Sequence, residues 1–397
     1  MLSFRLISAL RFWAPIAAIL IIPAVASAQF VGQPFATAGY EYDSNIASVA
    51  TGDPANVLRG GLHRDDQVRR AAAGVTAKYQ WSQQVLALRA EGRRYDFNHF
   101  ARLNHNDYAL GADLDWKFAS AMTGKLDYSQ EQRMADLKAR LSSDLILELE
   151  RRAGATVDFR LTPDWHLEVG ARHRDLDSPQ PGLPAYGLKE ATGDAAIKYD
   201  APGNWTLGIA GERINGRYRG AILVAPSYKQ SSLSATIGYK AGTRTLFNSA
   251  LGYTKRENSN AQGGNVSGTT GLVSYTRQLT GKTSVFASYE RSVNSYVFSA
   301  ASEVDTIATL KADWEATAKI SVNVGYAWTK SAFTGETVPF STTTRADRYQ
   351  ASSLNIVYAP VRWFSINPYA SYTRGSNVSF YKYNGAVVGI LLKIQRN

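Results

Sequence analysis

Cysteine is absent from the 397 residues, which excludes disulfides, thiol nucleophiles and cysteine-held metals together. Histidine is scarce: the five are His63, His99, His105, His166 and His173, and no two stand four residues apart, so the helical zinc-site spacing is missing and neither a metal nor a cofactor is expected. Long apolar runs are lacking as well. The most extended, Phe12 to Ile22, falls short of the ~20 residues that a membrane-spanning helix needs. Preceded by Arg5 and Arg11 and followed by Pro23 and Ala26-Ser27-Ala28, it reads as a secretory signal peptide over residues 1–28, leaving 29–397 as a single domain. Any crossing of a bilayer by that domain must be made with strands, which hydropathy averaged over long windows does not register.

What the sequence has in quantity is alternation. Tyr108, Leu110, Ala112, Leu114, Trp116 and Phe118 interleave with Ala109, Gly111, Asp113, Asp115 and Lys117, so one face of the segment is apolar and the other polar or small. This is the period of a strand with lipid or core on one side and water on the other. After Ala119 to Met122 the pattern resumes with Gly124, Leu126 and Tyr128 against Lys125, Asp127 and Ser129. The same unit recurs to the C-terminus and gives about eighteen strands of ~9 to 13 residues, the length at which a tilted strand crosses a bilayer. The first is expected over Phe35 to Ile46 and the second over Arg70 to Trp81; the last covers Tyr383 to Ile394. Between Met134 and Glu148, Met134, Leu137, Leu141 and Leu145 fall at helical intervals, compatible with a short loop helix or with an apolar loop cluster.

Aromatic residues mark both ends of these strands. Trp81, Trp116, Phe118, Trp165, Tyr199, Trp205, Tyr239, Tyr275, Trp314, Tyr358 and Trp363 lie near short turns. Tyr40, Tyr42, Tyr108, Tyr128, Tyr253, Tyr289, Tyr326, Trp328 and Tyr372 lie near long loops. Two aromatic girdles around an uncharged band are what the two interfaces of a membrane select. A β-propeller also repeats every ~40 residues, but a blade packs four strands into that length, where this chain places two long strands and a loop. The expected fold is therefore an all-β, transmembrane antiparallel barrel with short periplasmic turns and long extracellular loops, in the outer membrane of a Gram-negative bacterium.

Charge completes the pattern. Lys+Arg number 44 against 33 Asp+Glu, an excess that points to an anionic partner. On the wet register stand Arg89, Arg93, Lys117, Lys125, Arg152, Arg160, Arg172 and Lys198, interleaved with Glu91, Asp113, Asp115, Asp127, Glu131, Asp158, Glu168 and Asp194. These bases are either a substrate path through the lumen or one half of a ladder of ion pairs that stiffens the wall. From Lys229 onward the wet face turns to Ser, Thr, Asn and Gly, so the lumen is expected to be two-sided. Asp43 and Asn45, at a strand end, are candidates for a sugar or ion site, with loop capping as the alternative.

Gly39-Tyr40-Glu41-Tyr42-Asp43-Ser44-Asn45-Ile46, Arg94-Tyr95-Asp96-Phe97-Asn98 and Leu103-Asn104-His105-Asn106-Asp107-Tyr108 resemble segments of the EpsL-like β-barrel porins encoded in exopolysaccharide biosynthesis operons. The chain ends Lys393-Ile394-Gln395-Arg396-Asn397, without the terminal aromatic residue usual in such barrels. The resemblance implies an outer-membrane barrel that takes part in export of exopolysaccharide, an acidic polymer included. Its implied partners are that polymer, outer-membrane lipid and periplasmic polysaccharide-export proteins, with nucleic acid not among them. The alternative on the same fold is an uptake porin for small anionic solutes. A third reading, an outer-membrane enzyme, has only His63, His99 and His105 on long loops to offer, with no triad beside them, and the chain is not expected to be an enzyme.

Overall fold

The structure, a computed structural model, describes residues 29–46, 64–135, 145–178, 186–220, 226–259, 264–296, 301–337, 344–377 and 382–396. The signal peptide, His63 and most of the Met134 to Glu148 loop lie outside the described residues. Eighteen antiparallel strands form a single sheet. The first six are β1 (Gln29–Asp43), β2 (Asp66–Trp81), β3 (Gln84–Phe97), β4 (His105–Phe118), β5 (Met122–Met134) and β6 (Leu147–Arg160). Next come β7 (Trp165–Asp177), β8 (Tyr186–Ala201), β9 (Trp205–Gly220), β10 (Ser227–Ala241), β11 (Thr245–Asn258) and β12 (Val266–Gln278). The last are β13 (Thr283–Tyr296), β14 (Ala301–Thr317), β15 (Ile320–Thr337), β16 (Thr344–Val361), β17 (Phe364–Asn377) and β18 (Lys382–Gln395).

Each strand pairs with its neighbours in sequence, and β1 pairs with both β2 and β18, so the sheet closes on itself and leaves no edge. Tight connections such as Ser82 to Gln83 and Ala318 to Lys319 close one end; the long connections lie at the other. Outer-membrane barrels keep the short turns in the periplasm, which places the long loops outside the cell.

The outward register is the apolar one. Val75, Leu126, Ile209, Leu251, Leu310, Val324 and Val388 are all exposed, the inverse of a soluble fold and the arrangement that a lipid solvent requires. Both aromatic sets lie on this face: Phe118, Trp314 and Trp363 are exposed toward the short turns, Tyr253, Tyr289 and Tyr372 toward the long loops. Neighbouring ring pairs brace the periplasmic girdle, with Trp165 and Tyr199 5.0 Å apart and Trp205 and Tyr239 4.3 Å apart.

Strand ends differ from expectation where apolar contrast fades. The first strand begins at Gln29 instead of Phe35, because residues 29–34 continue the pairing with β2 beyond the last register pair with β18 at Phe35, where the Pro34 carbonyl still accepts from the Arg396 N–H at 3.1 Å. Pro34 fits there, since the end of that pairing spares the missing N–H. The same strand stops at Asp43, short of Ile46, and the second starts at Asp66 instead of Arg70, a polar extension beyond the bilayer.

Candidate functional site

The inward register of β3 to β9 carries the interleaved charges, and the backbone register decides how they meet. Lys125 lies 2.8 Å from Asp113, and Lys198 lies 2.7 Å from Glu168. Arg172 bridges Asp194 at 3.0 Å and Glu212 at 2.9 Å. Arg93 bridges Asp107 and, at 2.8 Å, Glu131; Arg89 pairs with Glu91; Arg152 reaches Glu150 at 2.8 Å. His166 sits between Asp158 at 3.1 Å and Asp200 at 3.0 Å. Lys117 and Arg160 make no ion pair among the described residues and lie at the periplasmic end, opposite Thr123 and His166. The wall is thus a ladder of paired charge that leaves groups of both signs over: the cations Lys117 and Arg160 at its lower rim, and the acids Asp115 and Asp127, which make no ion pair among the described residues because the Lys125 ammonium between them is taken by Asp113. Wetted pairs of this kind are worth ~0 to 1 kcal/mol each, so their larger effect is on the field inside the lumen.

On the following strands hydroxyls take over: Ser232 and Thr254 are 2.9 Å apart, and Thr254 and Thr270 2.7 Å. The expected neutral wall is interrupted, however. Arg256 projects inward from β11, and on β14 Asp305, Lys311 and Asp313 return charge to the lumen, with Asp313 accepting from Asn323 at 2.6 Å.

Toward the long loops the lumen is crossed by side chains. Arg174 joins Glu150 at 2.6 Å and Glu190 at 3.2 Å. Glu190 accepts from the Tyr228 hydroxyl and, at 3.1 Å, from the Ser295 hydroxyl, which also donates to Tyr228 at 2.8 Å. The Arg256 guanidinium lies 3.4 Å over the Tyr228 ring and donates to the Tyr218 hydroxyl at 2.8 Å and to the Asn294 carbonyl at 3.0 Å. Leu176 and Leu188 pack beneath the two tyrosines. Arg256 is 1% exposed, a degree of burial tolerable for a cation only because its charge is met by a π-face and several acceptors.

This bridge joins β8 to β13, with β9 to β12 between them, roughly 24 Å along the wall at ~4.8 Å per strand. It forms because β13 leaves the wall. Pairing of β12 with β13 ends at Gly271 and Arg291, and residues 292–296 pair with β14 only. The end of the β13–β14 hairpin therefore leans across the mouth and rests on the inward side chains of β8 to β11.

The candidate sugar or ion residues have local duties. The Asn45 amide N–H donates to Asp43 Oδ1 at 2.8 Å, and Asn45 Nδ2 donates to the Asn384 carbonyl at 2.8 Å, tying the first loop to the start of β18. A comparable residue that sequence reading passed over is Asp66, fully buried, which accepts backbone N–H groups from Gln67, Asn98, His99 and Phe100 at 2.7 to 3.0 Å. It organises the β3–β4 loop over the cluster Val68, Phe97, Phe100 and Leu103. His99 Nδ1 lies 3.1 Å from the Asp65 carbonyl; His105 stacks on Tyr95 with its Nδ1 2.7 Å from the Leu103 carbonyl.

No family model matches the chain, and no curated protein matches it in sequence. Among solved structures it is similar to the outer membrane protein OpdK of Pseudomonas aeruginosa, at 11% identity over 94% of this chain and 100% of that one, with a TM-score of 0.48. OpdK with vanillate gives 10% identity over 92% and 99% of the two chains and a TM-score of 0.49. OccAB3 of Acinetobacter baumannii gives 10% over 94% and 100%, at 0.48. These likenesses extend no further than barrel architecture. The closed sheet, its apolar exterior, paired girdles and turn asymmetry carry the conclusion: this chain is an eighteen-stranded β-barrel of the Gram-negative outer membrane.

Proposed function

We infer that the barrel is a channel for the uptake of small charged or polar solutes, anions among them. The observation that supports this most is the bridge from Glu150 through Arg174, Glu190 and Tyr228 to Ser295 and Arg256, which takes up lumen cross-section in the extracellular half. A barrel of this strand number otherwise encloses an aqueous passage. A constriction lined by fixed charges suits a solute that can trade hydration for hydrogen bonds, and fits a polymer chain poorly. Lys117 and Arg160 toward the periplasmic exit, with the unpaired acids Asp115 and Asp127 above them, offer fixed charge of both signs to such a solute.

Export of exopolysaccharide is the second reading, and it rests on the three segments of sequence likeness around Tyr40, Tyr95 and His105. A deletion strain separates the two. Loss of growth on small carboxylic acids at limiting concentration, with normal polymer in the medium, is the expected outcome. Retention of polymer inside the envelope with unchanged growth would reverse the assignment. Swelling of liposomes holding the purified barrel, in small carboxylates compared with oligosaccharides, gives the same choice without the cell.

A further inference from the structure

The basic excess of this chain is displayed mainly outside the lumen. On the outward register, the next residue beyond each outer-girdle aromatic is repeatedly a base: Tyr253 is followed by Lys255, Tyr289 by Arg291, Trp328 by Lys330 and Tyr372 by Arg374. The strand register aligns several of them. Arg291 faces Thr306, Thr306 faces Lys330, and Lys330 faces Arg348, so one row of exposed bases crosses β13 to β16, and Arg374 on β17 lies beside it, opposite Gln350 of β16. Lys330 and Arg348 are direct cross-strand partners of like sign, an arrangement that costs stability unless an anion stands between them. Neither forms an ion pair among the described residues, and Arg374 forms none either. Arg291 is oriented by the Thr269 carbonyl at 3.1 Å and the Thr306 hydroxyl at 3.4 Å, which fixes it against the wall.

The periplasmic girdle has no such row. Beyond Phe118, Tyr199, Tyr239, Trp314 and Tyr358 the corresponding positions are Ser120, Ala201, Ala241, Ala316 and Pro360, though Tyr275 is followed by Arg277. The asymmetry is one of leaflet. Bases facing away from the lumen, one step past an interfacial aromatic, stand at headgroup depth, where a transported solute does not pass.

We propose that the row Arg291, Lys330, Arg348 and Arg374 is a binding surface for phosphate-bearing lipid headgroups of the outer leaflet. Strands ~4.8 Å apart bring neighbouring bases close enough for one phosphate to bridge two of them. Each base near an anionic surface contributes about a fivefold gain in affinity, so the row acts as a unit where a single residue would not. The surface seats the barrel at a fixed height and holds lipid against the β13–β14 segment, just below the point where β13 leaves the wall.

The test uses the full mature barrel in neutral detergent with diphosphoryl lipid A as probe and phosphatidylcholine as the comparator. Wild-type protein is expected to retain phosphorylated lipid after washing, measured as lipid phosphorus per barrel, and to melt several degrees higher with lipid A than with phosphatidylcholine. The variant Arg291→Ser, Lys330→Ser, Arg348→Ser, Arg374→Ser should lose both effects, whereas the lumen variant Lys117→Ser, Arg160→Ser should keep them. Raising salt to ~1 M, where the Debye length is ~3 Å, should release the lipid from the unaltered barrel, so the idea remains testable if the fourfold variant does not fold. Equal stabilisation by both lipids, retention that salt does not weaken, or undiminished retention by a folded fourfold variant would overturn it. None of these readouts depends on what the lumen conducts.

Discussion

Val75 and Thr156 show how the two faces differ for a single side chain. Val75 points into lipid and is 42% exposed on the protein, whereas Thr156 points into the water of the lumen between Lys125 and Gly170. Replacing Val75 or Val324 with Arg forces a charge into hydrocarbon and should lower stability by ~2 to 4 kcal/mol in urea titrations in vesicles. Thr156→Arg should cost far less, and equal costs on the two faces would refute the register. A second residue-scale effect comes from glycine under aromatic rings. Tyr369 lies over its cross-strand partner Gly389, and its hydroxyl donates to Glu41 and accepts from Arg70 at 2.7 Å. Gly389→Ala drives a methyl into that ring and should destabilise by ~1 to 3 kcal/mol as an overpacking change. Gly92→Ala, with nothing within 4 Å of the added carbon, is the matched control and should be close to neutral.

At the scale of elements, the β13–β14 hairpin is the part of the molecule that breaks the pattern. Counting outward from Tyr289 by twos reaches Ser295, so alternation assigns Ser295 to the lipid-facing register, yet its hydroxyl lies among Glu190 and Tyr228 inside the mouth. Nothing local signals this. It depends on contacts between residues more than sixty positions apart and on pairing with β12 ending five residues early. By contrast, strand number, girdles, register and closure were legible, because each follows from a period of two and from aromatic placement within a few residues. The ladder was legible as composition, since its bases alternate with acids; which base meets which acid came only from the register. Asp66 was missed for the same reason as Ser295, as the N–H groups it accepts belong mostly to a loop thirty residues away. Arg256→Met removes the guanidinium that joins Tyr218, Tyr228 and the Asn294 carbonyl while keeping an apolar stem. It should raise single-channel conductance and shorten residence in closed substates, with little change in thermal stability of the wall. Unchanged conductance would mean that the bridge lies off the conducting path.

For the whole molecule, the question is where its positive charge acts. The excess of bases points to an anionic partner, but the inward bases are largely paired and many of the unpaired ones stand on the outer surface. Fixed charges influence a pore through their uncompensated sum within a Debye length, about 10 Å at 0.1 M salt, so a ladder of close pairs presents little net field to a passing ion. The unaltered channel should therefore discriminate weakly between chloride and potassium, since the unpaired Lys117 and Arg160 are matched in number by the unpaired Asp115 and Asp127. Freeing bases from the ladder should expose the latent charge. Glu168→Gln and Glu212→Gln together leave Lys198 without its 2.7 Å partner and Arg172 with one partner in place of two. Reversal potentials across a salt gradient should then shift toward anion selectivity at 0.1 M and return toward the wild-type value at 1 M as screening shortens to ~3 Å. A double variant with wild-type selectivity at low salt would place Lys198 and Arg172 outside the ion path, and would move the search for the selective segment to the bridge at the mouth.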